Sequence, residues 1–171
     1  FHARIVSAAN LNNPVAPGDM RHALDKQNPD SNTWLEAYTE EYDGLRSLDT
    51  FDIIDERQLQ VYKKHGCKVV PSMNIFNIKP DANGKPYRAK SRTVVLGNLE
   101  QRSWSKEERY APVLKAVSAR LLASLAVSKG RMLKQGDCKN AFCQPELPED
   151  EIVIVIPPKG CPFSPPGTYW K

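Results

Sequence analysis

Asn74-Ile75-Phe76-Asn77-Ile78-Lys79, then Asp81-Ala82-Asn83-Gly84, then Tyr87 through Leu96 reads as two strands and the turn between them. Asn-Gly supplies the positive backbone angles that a hairpin turn requires. The alternating pattern extends back to Lys68, so the hairpin is predicted over Lys68 to Leu96. On its return arm Arg88, Lys90 and Arg92 fall two residues apart. Side chains alternate across a strand, so all three share one face. Like charges so placed need solvent screening or an anion, and a triphosphate or a nucleic-acid backbone is the favoured anion.

Elements of both periods surround this hairpin. Trp34, Tyr38, Leu45 and Leu48 keep near-helical spacing, predicting an amphipathic helix over about 34–48. Thr33 and Glu36 form its capping box, with Glu40, Glu41 and Asp43 facing mostly outward. Phe51 to Ile54 reads as a short strand. A second helix is predicted from Ala116 to Ser128, with Val117, Leu121, Leu122 and Leu125 on its apolar face. Gly130 is a suitable stop. Arg131 to Gly136 is strand-like and delivers one carboxylate, Asp137, which holds a metal ion or caps the following segment. Glu151 to Ile156 is apolar enough for a strand buried on both faces, and a Pro-rich tail follows. Residues 1–30 read as an extended lead-in, and 98–109, including Trp104, as polar loop. The chain has no internal repeat, and its class is α+β.

Composition narrows the function. The 171 residues allow one domain with a sizeable core. No apolar run is long enough to cross a bilayer, so a membrane role is not expected. The net charge of +4 conceals a division. Residues 1–56 carry 4 basic and 11 acidic side chains, 57–109 carry 12 and 4, and 110–171 carry 8 and 5. The basic middle, which contains the hairpin, is the part suited to a polyanion. Cys67, Cys138, Cys143 and Cys161 show no Cys-x-x-Cys spacing, and His65 with Cys67 is too small a set for zinc. Free thiols in a reducing compartment are expected. Phe1-His2-Ala3-Arg4 and Thr168-Tyr169-Trp170-Lys171 are abrupt ends, which suggest a fragment.

The ordered motifs resemble the reverse transcriptase domain of Ty1/copia-type LTR retrotransposons. They are Trp34-x-x-Ala37-x-x-x-Glu41-x-x-x-Leu45, Phe76-x-Ile78-Lys79-Pro80-Asp81-x-Asn83-Gly84 and Arg88-Ala89-Lys90-Ser91-Arg92-x-Val94-Val95-x-Gly97. Tyr110-Ala111-Pro112-Val113-x-Lys115, Arg120-Leu121-Leu122-Ala123, Gln135-Gly136-Asp137-Cys138-Lys139-Asn140-Ala141-Phe142 and Pro157-Pro158-x-Gly160 follow. The resemblance implies the fingers and partial palm of a right-hand polymerase, incomplete here. Residues 1–30 would be the lead-in, 31–130 the fingers-like region with its basic hairpin, and 131–171 the start of the palm.

It further implies that Asp137 is the first catalytic, metal-binding aspartate. Lys79, Arg88, Lys90 and Arg92 would lie near the incoming triphosphate. Phe142 would screen the sugar 2′ position, and the Asn140 and Ala141 amides would help hold the triphosphate. Implied partners are Mg2+, dNTP, an RNA or DNA template-primer and the remainder of a polyprotein, in the cytoplasm or in virus-like particles. Two ions would serve nucleotidyl transfer, one activating the primer hydroxyl and one neutralising charge on the leaving group. The family's Tyr-x-Asp-Asp motif is absent from these residues. A fragment inactive by itself is therefore expected, with an unpaired edge along the strand at 152–156. A non-catalytic nucleic-acid-binding module and a decayed retroelement remnant are the alternatives.

Overall fold

The computed structural model describes residues 6–8, 11–12, 15–99, 105–107, 110, 113–138, 140–148 and 150–171. Trp104, Ala111, Pro112, Lys139 and Glu149 lie outside them. Residues 1–100 and 140–171 form one compact unit, and residues 101–139 a second.

The first unit is built on a five-stranded mixed sheet. Its strands are β1 (Ile53–Asp55), β2 (Lys68–Pro80), β3 (Pro86–Val95), β4 (Val153–Ile156) and β5 (Thr168–Trp170), in the order β1-β5-β4-β2-β3. β2 is long enough to serve two partners. Its first four residues run parallel to β4, from Lys68 beside Val153 to Pro71 beside Ile156. The remainder pairs antiparallel with β3, from Ser72 beside Val95 to Lys79 beside Arg88. The predicted hairpin is therefore present. Its loop is closed mainly by Asp81, whose carboxylate accepts the Asn83 and Lys85 amides at 2.8 and 2.9 Å. Gly84 takes the one positive φ in that loop, +79°.

Helix α2 (Ser31–Arg46) covers the inner face of the hairpin. Trp34, Ala37 and Tyr38 face the core with Phe76 and Ala89, and all five are buried. Trp34 meets Phe76 edge-on, with ring centroids 5.5 Å apart. The helix begins earlier than the sequence predicts, and Thr33 does not cap it. Asp30 is the N-cap, but its side chain makes no capping bond. That carboxylate instead accepts from the Asn12 amide and side chain, both at 2.8 Å. The lead-in is consequently more than an extended tether. A short helix α1 (Met20–Ala23) lies within it, capped by Asp19. Val6 and Ala8 are buried, and Ser7 forms an antiparallel bridge to Arg88 along the outer edge of β3. Backbone bonds from Ala8 to Tyr87 and from Ala89 to Val6 fix that contact.

Helix α3 (Glu56–Lys64) carries no sequence prediction because its composition is polar and only Leu59 is buried. Its start was nonetheless written in the chain. Asp55 and Gln58 form a reciprocal capping box, with bonds of 2.8 and 3.0 Å. Leu59 packs with Ile54 and Ile154. β4 is not an open edge, because β2 flanks it on one side and β5 on the other. Its four residues are only partly two-faced in burial, with Ile154 fully enclosed and Ile156 exposed. The Pro-rich segment after it folds back onto α2. Phe163 stacks on Tyr38 at 5.6 Å and packs against Tyr42 at 4.8 Å. Trp170 stacks on Phe51 at 4.4 Å. Such aromatic pairs contribute about 0.5–1.5 kcal/mol each beyond their burial.

The second unit contains α4 (Ala116–Ser128), at the predicted bounds. Gly130, with φ +59°, ends it as expected, and the Arg131 amide bonds back to Ala126. Residues 131–138 are not a strand. Met132 and Leu133 are exposed, and a strand requires a neighbour to accept its backbone bonds.

Candidate functional site

The hairpin brings together four of the predicted residues. The register sets Lys79 opposite Arg88 and Asn77 opposite Lys90, with Ile75 opposite Arg92. Alternation separates the two faces cleanly. Asn74, Phe76, Ala89 and Ser91 are buried, whereas Ile75, Asn77, Lys79 and Arg92 are exposed and Arg88 and Lys90 half-buried. Like charges directly opposite one another on a sheet are destabilising. Lys79 and Arg88 form such a pair, and Lys90, opposite Asn77, shares their face. Burial holds its ammonium below the ordinary lysine value, and Arg92, Lys79 and Arg88 add to the depression, while Glu41 opposes it.

The chain answers part of this charge itself. Arg88 donates from Nη2 to Glu40 Oε1 at 2.6 Å, and both side chains are largely enclosed. Its Nε is buried and lacks a partner among the described residues. Glu41 accepts from the Thr93 amide at 3.1 Å. Burial pushes the Glu41 carboxyl above its ordinary value, and Glu40 adds to the rise. The Thr93 amide, Lys90 and Arg92 pull it back. Glu40 and Glu41 are therefore not the outward residues that the sequence suggests. The signal was available: 34, 37, 38, 41 and 45 follow the i, i+3, i+4, i+7 spacing of a core-facing stripe. That stripe includes Glu41.

Beneath the cationic face runs a row of polar groups, of which Asn74 and Ser91 are buried and Thr93 half-buried. Asn74 Nδ2 donates to Ser91 Oγ at 2.7 Å, and Thr93 Oγ1 donates to Asn74 Oδ1 at 3.3 Å. These bonds tie β2 to β3 from the inner face. Buried side chains so paired cost little, whereas an unpaired one would cost about 1–3 kcal/mol.

Asn140, Ala141 and Phe142 lie on a separate short segment, a 3-10 turn over Ala141–Cys143. Asn140 takes the left-handed conformation at φ +50°, and its carbonyl accepts from Cys143 at 2.8 Å. Phe142 is fully exposed, and no described residue packs on its ring. Asp137 is exposed and belongs to the second unit. Among the described residues no group of three or more His, Cys, Asp or Glu side chains could hold a metal ion. One carboxylate suits an ion that retains waters and takes phosphate oxygens, so Asp137 is a fitting but partial donor set. The four cysteines are free, and Cys161 shares a 3.0 Å hydrogen bond with the Tyr38 hydroxyl. Burial, with that bond, raises the Tyr38 phenol far above its ordinary range. No helix among the described residues is long and apolar enough to cross a membrane.

A mixed sheet with a cationic hairpin is thus joined to a separate unit that carries the Asp137 carboxylate. Residues 56–168 match the family described as reverse transcriptase (RNA-dependent DNA polymerase), and the chain belongs to that family. It is 28% identical over 141 residues to the retrovirus-related Pol polyprotein from transposon TNT 1-94 of Nicotiana tabacum, covering 82% of this chain and 10% of that relative. The corresponding Pol polyprotein from transposon RE2 of Arabidopsis thaliana is 28% identical over 125 residues, or 73% of this chain and 8% of the relative. That from transposon RE1 of the same plant is 27% identical over 125 residues, with the same coverage. The resemblance read from the motifs is borne out. The chain spans about a tenth of the length of these relatives. No solved structure matches it.

Proposed function

We propose that this chain supplies the fingers and the first part of the palm of a right-hand RNA-directed DNA polymerase, acting within a larger Pol polyprotein. The observation that carries this reading is the paired register of the hairpin, which gathers Lys79, Lys90 and Arg92 on one face in a member of the reverse transcriptase family. Fixed cations aimed at phosphate oxygens stabilise the charge that develops during phosphoryl transfer. In this reading that face meets the triphosphate of an incoming dNTP, and basic groups along the chain meet the phosphates of an RNA or DNA template-primer. Phe142 stands beside the sugar, and the Asn140 and Ala141 amides point to the triphosphate.

Asp137 supplies one carboxylate to a magnesium site that the remainder of the polyprotein completes. When bound, such ions neutralise charge on the phosphates and the leaving group. A single aspartate does not complete a two-ion site, so this chain by itself is inactive in primer extension. The test is extension of a DNA primer on an RNA template with Mg2+ and dNTPs. No product above background is expected. Extension that Asp137→Asn abolishes would overturn the claim of inactivity, because it would show a complete site within these residues.

A further inference from the structure

We propose that Glu40 and Glu41 of α2 are positioning residues for the cationic face of the hairpin. Glu40 holds Arg88 outside direct phosphate contact, where the pair positions the strand, and Glu41 anchors β3 so that Lys90 and Arg92 carry the contact with polyphosphate. The proposal rests on the phosphate reading above and divides the labour within it. Both carboxylates precede residue 56, where the family match begins.

Arginine grips phosphate best through two adjacent N–H groups of its planar fork. In Arg88 the Nη2 group is engaged by Glu40 at 2.6 Å, and Nε is buried. The Nε–Nη2 edge is therefore closed to a ligand. Releasing it would leave the enclosed Glu40 carboxylate without its partner, a costly exchange for a buried ion. Arg88 is also tied through its backbone, since Ser7 bridges it on the outer edge of β3.

Glu41 acts one turn of logic further along the strand. It accepts the Thr93 amide, and Thr93 is hydrogen-bonded to Asn74, which in turn bonds Ser91. Ser91 and Thr93 are thereby held on the inner face. In a strand this forces Lys90 and Arg92 to the opposite face. Lys90 and Arg92 have no ion-pair partner among the described residues, in contrast to Arg88. The mutual influence of Glu41 with Lys90 and Arg92 accords with this arrangement.

The test is calorimetric titration of the full chain with inorganic tripolyphosphate at low salt, together with amide hydrogen exchange. Lys90→Ala with Arg92→Ala should weaken binding about tenfold or more, as expected for lost charge-assisted bonds. Arg88→Ala and Glu40→Gln should each weaken it only about two- to fivefold, and the double variant no more than either alone, because the pair acts as a unit. Glu41→Ala should speed exchange of the Thr93 amide.

The opposite pattern would overturn the proposal: Glu40→Gln tightening binding while Arg88→Ala costs as much as the combined Lys90→Ala and Arg92→Ala change. Arg88 would then be a direct phosphate ligand and Glu40 its competitor. A merely structural pair would lower the unfolding temperature without changing affinity, and that result also refutes it. Indifference of binding to the Lys90/Arg92 change would instead sink the phosphate reading. Positioning is then judged by exchange alone, and unchanged exchange at Thr93 in Glu41→Ala rejects it.

Discussion

Replacing Trp34 by Ala tests the interface on which the cationic face depends. Trp34 is 1% exposed, and its indole meets the edge of Phe76 at 5.5 Å. A tryptophan side chain buries roughly 200 Å², which at about 25 cal/mol per Å² gives an upper bound near 5 kcal/mol. Alanine retains only the Cβ, and the cavity adds its own penalty, so a loss of about 3–5 kcal/mol is expected. Total stability of a domain this size is roughly 5–15 kcal/mol, so the change removes a large share of it. Urea unfolding followed by far-UV circular dichroism measures the loss, because that signal comes mainly from the backbone rather than from the deleted indole. The midpoint should fall with the slope unchanged. Trp34→Phe should cost less, since it keeps an aromatic ring against Phe76. A Trp34→Ala loss below about 1 kcal/mol, typical of a surface substitution, would refute the docking of α2 on the hairpin. The assignments of Glu40 and Glu41 would fall with it.

The remaining predictions concern charge. Lys90→Gln should raise the thermal midpoint at pH 7. Its folded pKa lies below the unfolded value, so the ionised form is unfavourable, and the wild-type chain should recover this stability as pH rises through the folded value toward 10.5. A lower midpoint in the variant would contradict that sign. Glu41→Gln should be no less stable than wild type at pH 7. The raised folded pKa makes the glutamate contribution grow as pH falls from that value toward 4.5, so the variant should lack this acid-side gain in pH-dependent unfolding. A steeper acid dependence in the variant would count against it. Lys68 pairs with Glu151 beside the start of the β2–β4 ladder, with both side chains about a third exposed. Glu151→Gln should therefore cost under about 1 kcal/mol in urea unfolding, and a loss several times larger would indicate a deeper role for that pair.

Several elements were legible because local chemistry and tertiary need coincide. The hairpin is one, since alternation and a glycine turn leave few other solutions. Helix α4 is legible in its bounds, with Gly130 ending it in the left-handed conformation, although Val117, Leu121, Leu122 and Leu125 of its expected apolar face are exposed and only Ala126 is buried. The capping box predicted at Thr33 is not used, because a distant contact outcompetes the local pattern. Asp30 is held by Asn12, 18 residues earlier, and the helix starts from there. α3 has little legible periodicity because it is a polar nine-residue helix, although Asp55 and Gln58 mark its start. The strand expected at 131–136 shows the reverse error. Among the described residues that segment has no strand beside it to pair with.

The site divides in the same way. Which residues carry charge, which glycine turns the hairpin and that Arg88, Lys90 and Arg92 share a face are consequences of covalent order and the two-residue period of a strand. The ordered motifs also placed the chain in the reverse transcriptase family. Whether those cations are answered from within is a matter of long-range contact. Glu40 stands 48 residues from Arg88, and Glu41 stands 52 from Thr93. Only the packing of Trp34, Ala37 and Tyr38 against Phe76 and Ala89 brings them together. Likewise β4 is closed by β5, whose three residues look like the end of a proline-rich tail. Periodicity reports the face a residue occupies, whereas the partner on that face is chosen by burial and hydrogen bonding across the whole chain.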